Sequence, residues 1–593
     1  MEEKKSGGPK PAFYIALLVV VAGLSVYGLR DYIFPAPKTT SGGAKQVAQT
    51  KPTETKNQPT PAGDTKSIEA ADSSVVTTVK EYSFVPSEKL PPVKGVSSYE
   101  PLKDRTVKFA LNVWAGWAPI IYFNEGKGPG KVWKTPSGAE FKVELILMDD
   151  PVAMRDAYAA GKVHIGWATL DMLPLFMEEL QKDSRVWPRV YQQVDWSNGG
   201  DGIVFRRQHA KNPQNPSVAD LRGKKVVLAQ NSPSQYFVLN ALINGGVQPS
   251  EVNFIYTQDA FQAAAAFNAD KSLAACVSWA PDIYNLTKIK ENHLLVSTGT
   301  ANKLIADVWF ARADFAKDHP DIIEGLVKGI FEGLEKLKRD EAKKAAAEYM
   351  SKFYNIPAED CLAMQADAHG TNCAENREFF LNQNNPTNFE RTWNMANYLY
   401  RRVGSVSKPV AFDTVMDFSV LKKLSSDPLC VNSKDEYTVQ FTPKSVQTIK
   451  LESGEILTKV VVVQFYPNSW DLTKKIIKKI EGKDVETLYD PNVDFVLEEI
   501  AKLSGQYGAA RVVIEGHTDS SMKGKVPDSA VKELSTNRAN AVKQALVNKF
   551  KTLDPKQFST TGLGWDVPAD ANDPLNQAKN RRVEIKVYPL ETQ

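Results

Sequence analysis

Apolar and polar positions change rhythm several times along this chain. Ala12 to Leu29 is one uncharged, mostly apolar run. Pro35 to about Ser74 is Pro, Thr, Lys, Gly and Ala with almost no large apolar side chain. From about Arg105 to Phe310, short apolar runs alternate with stretches of helical period. Val107–Val113, Phe141–Leu147, His164–Trp167, Gly202–Phe205, Lys225–Ala229 and Val252–Tyr256 read as strands. Val152–Ala160, Gln235–Ile243 and Ala260–Asn268 read as helices between them. Such alternation predicts an α/β sheet of parallel strands. Asp314–Tyr354, rich in Ala, Lys and Glu, reads as helical, with a helix start at His319-Pro320. Ile356 to about Lys423 looks helical and irregular, and Phe441 to Gln593 has a βαβα-like pattern.

The apolar run is eighteen residues long, with Lys4, Lys5 and Lys10 before it and Arg30-Asp31 after it. A membrane span needs ~20 apolar residues, and lysines favour the cytoplasmic side. Tyr14, Tyr27, Tyr32 and Phe34 sit toward its two ends, where interfacial anchors belong. Residues 12–34 are therefore expected to form a single transmembrane helix after a cytoplasmic tail, 1–11. A cleaved signal peptide is the alternative, although no small-x-small cleavage site follows the run. Residues 35–78 cannot bury a core and are expected to be a disordered linker. A folded domain at 100–427 and a second at 441–593 complete the organisation.

Length, 593 residues, suits several domains, and a net charge of +3 with 24% charged residues argues against nucleic-acid binding. None of the four cysteines stands in a C-x-x-C pair. Cys361 and Cys373 are near enough in sequence to bridge or to stay free. The six histidines show no metal-ligand spacing, and there is no G-x-S-x-G, P-loop or H-E-x-x-H. No catalytic residue, metal or cofactor is expected, and the chain does not read as an enzyme.

Near the C-terminus, Arg511-Val512-Val513-Ile514-Glu515 runs into Gly516-His517-Thr518-Asp519. Leu534-Ser535-Thr536-Asn537-Arg538-Ala539-Asn540 follows, and Asn580-Arg581-Arg582-Val583-Glu584-Ile585 lies close to the end. Together these pieces resemble the OmpA-like peptidoglycan-binding domain, an α+β fold. The resemblance implies that Asp519 and Arg538 hold the zwitterionic end of diaminopimelate in the wall stem peptide. A guanidinium grips a carboxylate through two parallel hydrogen bonds, and a carboxylate takes the ammonium. Asn468 matches the first-strand loop of the family, and Thr518, Leu534, Asn580 and Arg582 match supporting positions. The stretch Ser520 to Val531 is longer than the usual family loop.

The middle region resembles periplasmic substrate-binding proteins of ABC importers, in the branch with taurine, nitrate and NMT1/THI5-like proteins. The likeness rests on Val113-Trp114-Ala115-Gly116-Trp117-Ala118-Pro119, Gly161 to Trp167, Asp220 to Val226, Ser232-Pro233-Ser234 and Trp279-Ala280-Pro281-Asp282. It implies two lobes with a small solute between them. Ser232 and Ser234, at a helix start, suit an anionic group. Trp114, Trp117, Trp167, Trp196, Trp279 and Trp309, with Asp195, Asp201, Asp282 and Asp307 beside them, suit an ammonium or a flat ring. Asp195-Trp196-Ser197-Asn198 through Gly202 reads as a hinge or cleft loop.

The expected protein is an inner-membrane-anchored, periplasmic solute binder tethered to peptidoglycan. Its partners would be the cytoplasmic membrane, the wall, a small solute and an ABC permease or sensor, with no nucleic acid. The alternative is a MotB-like wall-anchored subunit working with a motor-type membrane partner. Such subunits carry an Asp inside the span, whereas Asp31 stands at its outer end beside Arg30.

Overall fold

Two sheets with a cleft between them make up the middle of the chain, and a third sheet follows at the C-terminus. The computed structural model describes residues 67–71, 81–480 and 482–590. The expected span at 12–34 and most of the linker lie outside these residues. Among the described residues, no helix is long and apolar enough to cross a membrane.

The first lobe is built on seven strands. Their order is Ala368–Gly370, Pro188–Ser197, Ala306–Arg312, Ile165–Thr169, Thr106–Leu111, Glu140–Leu147 and Val132–Lys134. Ile165–Thr169 is buried along its whole length, as a central strand covered on both faces must be. The second lobe holds five, ordered Asn292–Ser297, Asp201–Arg206, Ala275–Trp279, Lys225–Ala229 and Asn253–Thr257. The expectation of purely parallel sheets is corrected. Thr106–Leu111 runs parallel to both of its neighbours, but Ala306–Arg312 is antiparallel to both of its own. The cause is connectivity: the chain leaves the first sheet after Ser197 and returns into it at Ala306, at the same end, so Ala306–Arg312 runs back alongside Pro188–Ser197.

These two crossings, at 198–200 and 298–305, connect the lobes and touch each other. Thr298 Oγ1 accepts from the N–H groups of Gly199 and Asp201, both at 3.0 Å.

Local chemistry sets the helices. Asp150 accepts from the N–H groups of Val152 and Ala153 at 2.8 and 3.1 Å, which starts Pro151–Ala159. The helical stretch over Asp314–Tyr354 breaks at Pro320 as expected and again before Asp340, giving Ala313–Asp318, Pro320–Lys336 and Asp340–Tyr354. Pro320 opens the second, where its missing N–H costs nothing. Cys373 bridges to Cys430 rather than to Cys361. Cys361 lies buried in Ala358–Met364, with its thiol toward the Ile356 carbonyl, and burial pushes that thiol up to about 11.

The C-terminal sheet orders Leu457–Val461, Val583–Pro589, Ala510–His517 and Phe558–Gly564. Helix Asp528–Lys549 lies almost in contact with its backbone: a Cβ on Gly516 would stand 2.1 Å from the Ser535 carbonyl oxygen. Glycine there lets the helix carrying Arg538 approach the strand that leads into Asp519. This domain packs directly on the second lobe. The Val218 N–H donates to the Ile456 carbonyl at 2.9 Å, and Lys459 reaches Asn244 at 3.0 Å and Glu499 at 3.1 Å. One continuous apolar core runs from Phe237 and Leu239 to Leu457 and Ile500.

Candidate functional site

In the cleft, the Trp114 indole N–H donates to both oxygens of Asp195, at 3.2 and 3.3 Å. Two glycines permit this contact. A Cβ on Gly116 would lie 1.7 Å from Asp195 Oδ2, and one on Gly200 would lie 2.5 Å from the Trp114 ring. Asp195 stands opposite Asp307 on the paired strands, and two buried carboxyls so placed disfavour being charged together. Burial pushes Asp195 up to about 7 and Asp307 well above the carboxylate range. Asp201, which accepts from Ser197 Oγ at 2.6 Å, is raised by burial to about 6. Burial likewise lifts Asp171 to about 7 and Asp367 to about 6, and the Tyr284 hydroxyl donates to Asp367. Among the described residues, no Lys, Arg or His forms an ion pair with any of these five acids. Asp171 and Asp367 were not anticipated. Asp171 follows the singled-out stretch Gly161 to Trp167, Asp367 lies in the irregular helical region, and neither stands in a recognisable motif.

The remaining expected cleft residues divide. Trp279 and Asp282 are half-buried after the strand Ala275–Trp279, and burial raises Asp282. Asn198 donates to the Ala366 carbonyl at 3.1 Å and accepts from the Tyr437 hydroxyl at 2.9 Å, a contact with the segment entering the C-terminal domain. Ser197 also meets Thr298 at the paired crossings, at 2.9 Å. Trp117 is fully buried in the first lobe, with its N–H on Asn112 Oδ1 at 2.7 Å. Trp167 donates to the Met148 carbonyl at 2.9 Å, Trp309 donates to Gln192 at 3.0 Å, and Trp196 meets Phe379 edge-on at 5.4 Å. Ser232 does not cap its helix; its hydroxyl donates to the Ala229 carbonyl at 2.8 Å, and Ser234 is buried. Asn231 and Gln235 at that helix start bond to the upstream Ser87–Glu88 stretch instead.

The C-terminal domain assembles a second site. Arg538, on Asp528–Lys549, holds its guanidinium 4.9 Å from the centre of the Phe465 ring and donates from Nε to the Ser469 carbonyl at 3.0 Å. Its Nη1 and Nη2 donate to the two carboxylate oxygens of Glu69, each at 2.6 Å. Asp519 accepts from the Ser521 N–H at 2.9 Å and from Arg581 Nε at 2.6 Å. Burial alone would raise Asp519, but the bonds from Ser521 and Arg581 outweigh it and hold the carboxylate below its usual range. Asn468 sits in the left-handed region at φ 59°, which turns its side chain and its N–H toward Glu69. Thr518 and Leu534 are buried beside the site, and Asn580 ties the adjoining loop through the Asp573 carbonyl at 3.0 Å and the Ala569 N–H at 2.8 Å.

Two features here differ from expectation. Arg582 turns away and pairs with Glu584 at 2.6 Å, while Arg581 faces Asp519. The sequence carried a signal for this: Glu584 stands two residues on, on the same face of the strand as Arg582. The second difference is that residues 67–71, within the stretch expected to be disordered, lie ordered against the site.

Comparison with known proteins agrees with this division of the chain. Residues 464–582 match the OmpA family model, and residues 205–342 match the model described as NMT1/THI5 like. Outer membrane protein Omp38 of Acinetobacter baumannii is 38% identical over 101 residues, which is 17% of this chain and 26% of that protein. The taurine-binding periplasmic protein of Escherichia coli is 26% identical over 189 residues, 31% of this chain and 54% of that protein. The chain thus spans about a quarter and about half of these two relatives. The solved aliphatic sulphonate binding protein SsuA of Escherichia coli aligns with 54% of this chain and 100% of its own, at 16% identity and a TM-score of 0.40.

Proposed function

We propose that this chain is a non-enzymatic, wall-tethered solute-binding protein of the periplasm. Residues 12–34 would anchor it in the cytoplasmic membrane, and the loaded middle domain would present its solute to an ABC-type permease. The observation that carries the proposal is the Arg538 site. It already grips a carboxylate with two parallel hydrogen bonds, and the acidic group Asp519 lies in the same site. A diaminopimelate end, with its carboxylate and ammonium, matches that arrangement.

The cleft supports a solute bearing an ammonium group. Five buried carboxyls without a cationic partner favour a positive charge, and Trp114 stands at their edge. Taurine, named in one relative, carries such a group.

Two measurements test the proposal. Arg538→Ala and Asp519→Ala should each abolish pull-down of the full chain by purified peptidoglycan sacculi; retention by both overturns the wall assignment. A thermal-shift panel of taurine, choline, glycine betaine, alkanesulfonates and nitrate should show stabilisation by the amines. A ligand at 100 times its Kd adds about 2.7 kcal/mol. A flat panel overturns solute binding.

A further inference from the structure

The Arg538 site is occupied by the protein itself. Ser67 to Ala71 crosses it, bending at Ile68 and Glu69, and every one of its residues is engaged. Ser67 Oγ accepts from Asn468 Nδ2 at 3.0 Å. The N–H groups of Ile68 and Glu69 both donate to Asn468 Oδ1, at 2.8 and 2.9 Å. The Glu69 carboxylate takes the Arg538 fork and also accepts from the Asn468 N–H at 3.2 Å. Arg581 donates to the Ala70 carbonyl at 3.0 Å, and Gln577 donates to the Ala71 carbonyl at 3.1 Å. Ile68 packs on an apolar pocket of Met522, Val526, Val531 and Trp565. Met522 and Val526 belong to the longer-than-usual stretch Ser520–Val531, so that extension supplies a wall for the isoleucine. Glu69 is only 3% exposed, although it stands in a stretch with few large apolar residues in sequence.

We infer that Ser67–Ala71 is an intramolecular ligand of the peptidoglycan site, so that wall and linker compete for Arg538. This rests on the wall-binding reading above. The chemistry of competition is direct. Glu69 presents a carboxylate where the stem peptide would present its own, and one guanidinium fork cannot hold two bidentate carboxylates. The tether makes the competitor strong. Nine residues separate Ala71 from Glu81, where the described chain resumes. A short linker of that kind gives an effective concentration of about millimolar. A self-ligand whose intrinsic Kd is about ten times lower than that weakens wall affinity roughly tenfold. Release of the segment would also free the linker between the membrane-proximal residues and Glu81, so wall engagement and linker reach are coupled.

The test uses the full chain. Hydrogen exchange should show slow amides at Ile68 and Glu69, and Arg538→Ala should make them fast. Fast exchange at these amides in the unaltered protein overturns the inference. Glu69→Ala and the isosteric Glu69→Gln should each bind purified sacculi about tenfold more tightly than the unaltered chain. Glu69 precedes both folded domains in sequence, and a melting temperature within a few degrees of the unaltered chain's separates lost competition from lost fold in each variant. Slow amides together with unchanged sacculus affinity in both variants would overturn the competition. Slow amides with no sacculus binding by any form would overturn the wall reading while leaving the self-docking in place. A synthetic peptide of residues 65–72 should bind the Glu69→Ala chain and not the Arg538→Ala chain; binding to both overturns the assignment of Glu69 to Arg538.

Discussion

The cleft acids are best understood one carboxyl at a time. A buried carboxyl without a cation is stable only when protonated, so its folded pKa rises. Asp171 and Asp195 stand at about 7 and Asp201 and Asp367 at about 6, against ~3.9 in an unfolded chain. The folded state therefore binds more protons than the unfolded state between about pH 4 and pH 7. Stability is full below the unfolded value and is lost as pH rises through the folded values. The full chain without solute should melt at a progressively lower temperature from pH 5 to pH 8. Asp195→Asn should flatten that slope and raise Tm at pH 8, while weakening binding of an amine solute. A slope unchanged by this substitution would mean that Asp195 titrates normally. Sequence showed that Trp114, Asp195 and Asp307 belonged together. It did not show that Trp117, Trp167 and Trp309 turn into the first-lobe core, because an indole beside a strand end has two faces to choose from. Asp171 and Asp367 were invisible for a similar reason: a lone aspartate after a strand, or at the end of a helix, looks like a turn residue.

Elements were the most legible level. Lys225–Ala229 forms a strand with the expected ends, and Pro151–Ala159, Pro233–Asn244 and Ala260–Ala269 fall within two residues of expectation. Strand direction was not legible, because alternation reports burial and not which end of a sheet the chain enters. The disulfide was likewise hidden, since a bridge depends on which helices meet. Cys373–Cys430 closes 57 residues of sequence. In the chain-entropy view, a loop of this size contributes about 4 kcal/mol. Cys373→Ser together with Cys430→Ser should lower unfolding free energy by about 2–4 kcal/mol in denaturant melts. Cys361→Ser, at a thiol with no covalent partner, should cost less. Gly516 offers a sharper test of how elements position a site. Its missing Cβ is what admits the Ser535 carbonyl at 2.1 Å. Gly516→Ala should push helix Asp528–Lys549 off the sheet, costing about 1–3 kcal/mol and displacing Arg538. Sacculus binding should fall with stability, and full binding by this variant would show that the helix can shift without moving the site.

At the scale of the molecule, the C-terminal domain grips the second lobe and the crossing that joins the lobes. The Ala509 N–H donates to the Thr300 carbonyl at 3.3 Å, the Lys303 N–H donates to the Gln506 carbonyl at 3.2 Å, and Gly508 abuts Asn302. Any flexing of the crossings that join the lobes must therefore shift a surface held by the C-terminal domain. Lys459 bonds Asn244 across this contact and pairs with Glu499 within the C-terminal domain. Burial would raise Glu499, but Lys459 and Lys502 overcome it and bring the carboxylate down to about 2. A depressed acid stabilises the folded state above its unfolded value of ~4.3, and that contribution is lost as pH falls toward 2. Two consequences follow from the shared apolar core and this pair. Near pH 7 the middle and C-terminal parts should melt in one calorimetric transition. Lys459→Ala, which strips Glu499 and Asn244 of a common partner, should split that transition and weaken the loss of stability between pH 5 and pH 2. If the variant still melts as one unit with the same acid slope, the apolar core alone couples the two parts. In that case any motion of the lobes reaches the Arg538 site through packing and not through Lys459.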